Sequence, residues 1–141
     1  MPFNIEESVG FTTNRTAKLL KKEMAGRLKT LELTPEQWTL LNVIGEHGAI
    51  SQADLVRKTF KDRSVISRVL GSLLNKGLAR KYVNPADKRV YLVKISAKGK
   101  KKWEAAMPVA AQFNKDMKKC LTKHEAKELF RLLNKITDCL A

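Results

Sequence analysis

Between Thr34 and Ile95 the chain is cut by helix-start and helix-stop signals at short intervals, and that punctuation leaves few folds open. In Thr34-Pro35-Glu36-Gln37, Thr is placed to cap, Pro to take the first helical position and Gln to close a capping box. Trp38, Leu40, Leu41 and Ile44 follow at helical spacing, with Gly45 and Gly48 marking the end. After the short apolar Ala49-Ile50, Ser51-Gln52-Ala53-Asp54 reads as a second capping box, opening a helix to about Thr59. Asp62 starts a third helix over roughly 62–76, and Gly77 ends it. Its apolar stripe is Val65, Ile66, Val69, Leu70, Leu73 and Leu74; its other face holds Ser64, Ser67, Arg68 and Gly71, with Arg63 at the start. Leu78–Val83 and Val90–Ile95 are rich in β-branched and aromatic residues with partial alternation. Asn84-Pro85-Ala86-Asp87-Lys88-Arg89 between them is turn-forming and basic, which predicts a hairpin with a charged tip.

The flanks are helical. Val9, Thr13, Leu20, Met24, Leu28 and Leu31 keep a helical period over residues 8–31. Ser96 is placed to cap a long helix to about Cys120, carrying Trp103, Met107, Ala110, Phe113 and Met117 on one period. Pro108 lies inside it and predicts a kink near residues 104–108. Thr122-Lys123-His124-Glu125 opens a last helix with Leu129, Phe130, Leu133, Ile136 and Leu140 on one face. A core of about 60 residues cannot cover all these flanking stripes, and uncovered apolar patches of that length mark interfaces. The 141 residues are therefore expected to form a single domain that dimerises through its terminal helices. Residues 33–99 are its core, and 1–31 and 100–141 the dimerisation helices.

Charge is distributed unevenly. The chain has 28 Lys+Arg and 14 Asp+Glu, a formal charge of +14. Residues 1–50 are neutral, 51–102 carry +12 and 103–141 carry +2. A chain this basic usually meets an anion. A membrane-surface helix would need its basic residues beside one apolar stripe on one helix. Here they are spread over several short elements, which favours nucleic acid. No apolar run approaches the roughly 18–20 residues that span a bilayer, and no membrane partner is expected.

The expected fold is mainly α with a small β-hairpin: a winged helix-turn-helix flanked by N- and C-terminal dimerisation helices. In that arrangement the second helix of a rigid corner enters the major groove. Ser64 and Ser67 are short and let the backbone approach double-stranded DNA, with Arg63 at the helix start. Arg68 has the fork that reads guanine O6 and N7. Lys88 and Arg89 at the hairpin tip suit phosphates or the minor groove. For each of these cations the plain alternative is a solvated surface charge or a local ion pair.

Over residues 33–99 the chain resembles the MarR-type regulators, the multiple-antibiotic-resistance repressors of bacteria and archaea. The resemblance rests on Leu33-Thr34-Pro35-Glu36-Gln37-Trp38 and on Ile66-Ser67-Arg68-Val69-Leu70 with Leu74. It extends through Lys76-Gly77-Leu78-Ala79-Arg80, the Asp87-Lys88-Arg89 wing, and Val93-Lys94-Ile95-Ser96-Ala97-Lys98-Gly99. It implies a homodimeric repressor on a pseudo-palindromic operator, released by a small phenolic or aromatic carboxylate effector. It further implies that Asp87 pairs with a nearby arginine and braces the wing while Arg89 enters the minor groove. For the effector, Arg15 is a candidate carboxylate partner and Trp38 a candidate aromatic wall.

Enzyme chemistry is not expected. The chain has no H-E-x-x-H, no Walker loop, no G-x-G-x-x-G and no C-x-x-C, and no cofactor is implied. His47, His124, Cys120 and Cys139 show no metal-ligand spacing. Two cysteines without a framework fit a reducing cytoplasm; that it is the cytoplasm of a bacterium or archaeon, with the protein on the nucleoid, is what the resemblance implies. Cys120 precedes the last helix and Cys139 lies near its end, so they stand on the order of 25 Å apart, too far for an intrachain disulfide; an interchain bond, a single oxidised thiol or two inert thiols stay open. The rival to a sequence-specific regulator is a non-specific or architectural nucleic-acid binder. The small-residue face beside Arg68 argues against it.

Overall fold

Helix starts in this chain are made by side chains that answer the unpaired N–H groups of the first turn. The computed structural model describes residues 1–59 and 61–141, in two compact units, Met1–Met107 and Pro108–Ala141. In the first unit, Ser8 Oγ accepts from Phe11 N at 3.1 Å and opens α1, Val9–Leu28. A 3₁₀ turn, Lys29–Leu31, follows. Glu32 then takes left-handed backbone (φ 56°) and returns its N–H to the Lys29 carbonyl. The helix expected over 8–31 is therefore shortened, because its last turn tightens.

Both arms of the Thr34–Gln37 box are made as α2, Pro35–His47, begins: Gln37 N to Thr34 Oγ1 at 3.1 Å, and Thr34 N to Gln37 Oε1 at 3.0 Å. Gly45 lies inside α2 and is not its stop. A Cβ there would stand 2.8 Å from the Trp103 ring, so the missing side chain lets the indole lie on the helix. The indole N–H donates to Asn42 Oδ1 at 2.8 Å. The stop is Gly48, at φ 73°.

Ala49–Ser51 is a strand, β1, and α3 (Gln52–Thr59) and α4 (Arg63–Asn75) follow. Ser51 Oγ accepts from Asp54 N at 3.1 Å at the start of α3. Asp62 stands at the N-cap of α4, but its carboxylate caps nothing there. Gly77, at φ 71°, turns the chain out of α4.

The expected hairpin, β2 (Ala79–Val83) and β3 (Tyr91–Ile95), is joined by a third strand. β1 pairs antiparallel with β3, giving the order β1-β3-β2. Ile50 and Lys81 both face Val93 in register. Leu28, Leu40, Leu41, Ile44, Leu55, Ile66, Leu73, Leu78 and Val93 are all but fully buried and form one core under α2, α4 and the sheet.

Next, α5 (Ala97–Lys118) starts against the turn after α4. Ser96 Oγ accepts from Gly99 N at 2.9 Å and donates to the Gly77 carbonyl at 2.6 Å. A Cβ on Gly99 would lie 1.8 Å from the Leu78 carbonyl oxygen, so only glycine admits this approach. Pro108 lies within α5, where the boundary between the units falls.

In the second unit, α6, Lys123–Leu140, opens with a complete box between Thr122 and Glu125. Leu129, Phe130, Leu133, Ile136 and Leu140 on α6 are exposed. So are Cys120 and Cys139. Among the described residues no helix is long and apolar enough to cross a membrane.

Candidate nucleic-acid interface

Burial of one face of α4 orients the other. Ile66, Val69, Leu70 and Leu73 are buried, with Val65 and Leu74 half-buried. Helical geometry then turns Arg63, Ser64, Ser67 and Arg68 outward, and all four are exposed. Gln52 Nε2, at the start of α3, donates to Ser67 Oγ at 3.2 Å and ties the two helices of the corner.

Arg68 does stand in an ion pair, the plain alternative for this cation, and its partner comes from a separate helix. Its Nη2 lies 3.5 Å from Glu36 Oε2 at the start of α2. Lys21 of α1 takes the other oxygen of the same carboxylate. The Lys21 hydrogen bond, with a further contribution from Arg68, holds the Glu36 carboxyl below its usual value of 4.5 against a smaller opposing effect of burial. Arg68 remains two-thirds exposed (67%) while Glu36 is 22% exposed, so the pair is anchored at the acid and open at the base.

The start of α2 is itself pinned to α4. Gln37, a buried amide, donates from Nε2 to Ser72 Oγ at 3.0 Å and accepts from Lys76 Nζ at 3.2 Å. Both partners belong to α4 or its C-cap, so the capping-box glutamine also joins two helices.

At the wing the chain bonds to itself. Asn84 Oδ1 accepts from Ala86 N at 2.9 Å, and Asn84 N donates to the Val90 carbonyl at 2.8 Å. Asp87 accepts from the N, Nε and Nη2 of Arg89 at 3.1, 3.1 and 3.2 Å. Those bonds, the side-chain ones first, keep the Asp87 carboxyl below 3.8. Its partner is thus Arg89 itself, whose side chain stays 90% exposed beside the exposed Lys88.

Part of the basic segment is turned onto the protein. Lys76 Nζ donates to the Glu32 carbonyl at 2.6 Å, Lys98 to Lys76 at 3.0 Å and Lys102 to Leu31 at 2.8 Å. These ammonium groups answer carbonyls left open near helix ends. Sequence spacing gives no sign of such contacts, because each joins separate elements.

The two effector candidates lie apart in kind. Arg15 reaches Glu6 at 4.0 Å, stands 5.3 Å over the Phe11 ring and lines an open depression of about 270 Å³ with Phe11, Asn14, Lys18 and Leu19. Trp38 is half-buried on α2 and is not among that depression's walls.

Residues 31–90 match the sequence profile of the MarR family. The multiple antibiotic resistance protein MarR of Salmonella typhimurium is 33% identical over 110 residues, covering 77% of this chain and 76% of that protein. The HTH-type transcriptional repressor NicR of Pseudomonas putida is 25% identical over 137 residues, 97% of this chain and 87% of that one. Among solved structures, Bordetella bronchiseptica BpsR superimposes with a TM-score of 0.91 at 26% identity, covering 98% of this chain and 99% of that one. That structure addresses regulation of BpsR's DNA binding by 6-hydroxynicotinic acid. A mutant Escherichia coli MarR complexed with operator DNA gives a TM-score of 0.88 at 26% identity over 96% and 98% of the two chains. With the outward face of α4, the wing and the three-stranded sheet in place, this likeness settles the matter: the chain belongs to the MarR family of winged-helix transcriptional regulators.

Proposed function

We propose that this regulator is a homodimeric, sequence-specific repressor that binds a pseudo-palindromic double-stranded DNA operator and is released by a small aromatic carboxylate. The observation that carries DNA binding is the division of α4, with one face in the core and Arg63, Ser64, Ser67 and Arg68 presented outward. In the reading proposed, Arg68 meets a base edge, Arg63 and the serines bring the helix to the backbone, and Lys88 and Arg89 reach the minor groove. Asp87 orders Arg89 before contact. Residues 33–99 form the DNA-binding core, and 1–31 and 100–141 supply the dimer.

Exposed apolar side chains support the dimer. Val9, Phe11, Leu19 and Leu20 on α1, and Leu129, Leu133 and Ile136 on α6, are each at least 37% exposed in the single chain. A two-fold axis between such helices would set two recognition helices about one DNA turn apart. Repression and an aromatic carboxylate effector are supported by the described roles of NicR and BpsR. Arg15 and Trp38 are the residues proposed to meet that effector. Such a protein acts on chromosomal DNA in the cytoplasm.

The test is protection mapping on the DNA upstream of the protein's own gene, with bulk DNA as competitor and 6-hydroxynicotinic acid added last. A symmetric protected site that survives the competitor and is lost with the acid is expected. Equal affinity for operator and bulk DNA would leave only a non-specific binder.

A further inference from the structure

Glu36 is a carboxylate beside the cation proposed to read DNA, and its place there calls for an explanation. A negative charge next to a DNA-facing arginine opposes phosphate binding. The local structure nevertheless holds it in position. Glu36 follows the capped N-terminus of α2, and its neighbour Gln37 is fixed to Ser72 of α4. Ser72 lies four residues, one helical turn, beyond Arg68. Glu36–Arg68 and Gln37–Ser72 are therefore adjacent rungs between the same two helices. The second of these is made by a buried amide. Lys21 holds the free oxygen of Glu36 from α1, so the carboxylate is gripped on both sides.

We propose that Glu36 is a positioning residue for base readout, holding one edge of the Arg68 guanidinium so that the rest of its fork meets the bases in a set orientation. The inference rests on Arg68 being the base reader. A free arginine on an exposed helix face must lose several rotatable bonds' worth of freedom on contact. An arginine already held by a carboxylate loses less, and loses it only for the base that fits. The same carboxylate weakens unspecific contact with phosphates. Glu36 thus trades total affinity for discrimination, the two-sided way in which specificity is usually built.

The experiment measures affinity for the footprinted operator, its single-base variants and bulk DNA with Glu36→Gln, Arg68→Ala and the double variant. The readout is the ratio of operator to bulk affinity, which does not depend on the active fraction of a preparation. For Glu36→Gln, bulk DNA binding is expected to stay the same or tighten. The ratio is expected to fall by about fivefold or more, the low end of what one good base contact discriminates. The loss should appear at the base positions that Arg68→Ala flattens, and the double variant should flatten them no further than Arg68→Ala alone. If Glu36→Gln keeps full preference at those positions while Arg68→Ala loses it, the positioning role is overturned and Arg68 remains the reader. If the two losses simply add, Glu36 does not act through Arg68 and the proposal is equally overturned. Should Arg68→Ala itself keep full preference, the proposed base reader is wrong, and the positioning role goes with it.

Discussion

Arg68 and Arg89 each sit in an ion pair with a carboxylate, and the two pairs differ in what they leave free. Arg68 gives one nitrogen to Glu36 across two helices, whereas Arg89 gives its Nε, its Nη2 and its backbone N–H to Asp87 two residues away. The first pair orients a side chain over a helix face; the second shapes a loop. Arg68→Ala should flatten preference at one position per half-site, a bidentate base contact being worth about 1–3 kcal/mol. Arg89→Ala should weaken many sequences together, with sensitivity to minor-groove width. Asp87→Ala should resemble a milder Arg89→Ala, because the guanidinium survives but loses its tether. A binding matrix of the three variants against single-base operator mutants checks all three. Acid should weaken the Glu36 pair. Its folded pKa lies below the ordinary 4.5, so the stability it contributes is complete above that value and is lost as pH falls through the lowered one. The stability gap between wild type and Glu36→Gln should be constant above about pH 5 and close below it, as read from denaturant melts at each pH.

Among the elements, α5 depends most visibly on one atom's absence. Gly99→Ala, in the first turn of α5, gains at most the roughly 1 kcal/mol by which alanine exceeds glycine in a helix. It must also push the backbone oxygen of Leu78 away from a Cβ only 1.8 Å distant. Overpacking against backbone, at the upper end of about 1–3 kcal/mol, wins, and a net loss of about 2 kcal/mol is expected in a thermal or denaturant melt. Thr122→Ala should cost about 1 kcal/mol through the loss of the α6 cap. These elements divide clearly into those legible in sequence and those that were not. The boxes at Thr34 and Thr122 and the stripe of α4 were legible, because each is made by residues three or four apart. Gly45 read as a stop, because the indole that requires it stands 58 positions further along the chain. The strand β1 has only three residues, too few for alternation to show, and its partner β3 lies some forty residues away. At the interface, the outward set on α4 and the wing cations were legible from periodicity and turn chemistry. The acid that holds Arg68 was not, since Glu36 and Arg68 are 32 residues apart and only the corner between α2 and α4 brings them together.

For the whole molecule, the proposed assembly and the charge map make separate predictions. Leu133 and Ile136 are 39% and 41% exposed in the single chain, so replacing both with glutamate should leave the fold intact. In a dimer those carboxylates would be buried and unpaired, and sedimentation should show monomers whose operator affinity has collapsed. A variant that still sediments as a dimer would move the interface elsewhere. The charge map concerns a different segment. Twelve of the fourteen excess positive charges lie in residues 51–102. Lys76, Lys98 and Lys102 of that segment are engaged with carbonyls, and Arg57 is paired with Asp54. The count of phosphate contacts is therefore well below the formal charge. If each protomer neutralises about four phosphates, a dimer neutralises about eight, and log K should fall with log[salt] at a slope near −7. The engaged lysines should contribute little to that slope, so Lys98→Gln is expected to leave it almost unchanged, whereas Lys88→Gln should reduce its magnitude by about two, one contact per protomer. Titrations of operator affinity against salt for the wild type and both variants check this. A wild-type slope shallower than about −2 would mean that the basic segment does not meet the DNA backbone.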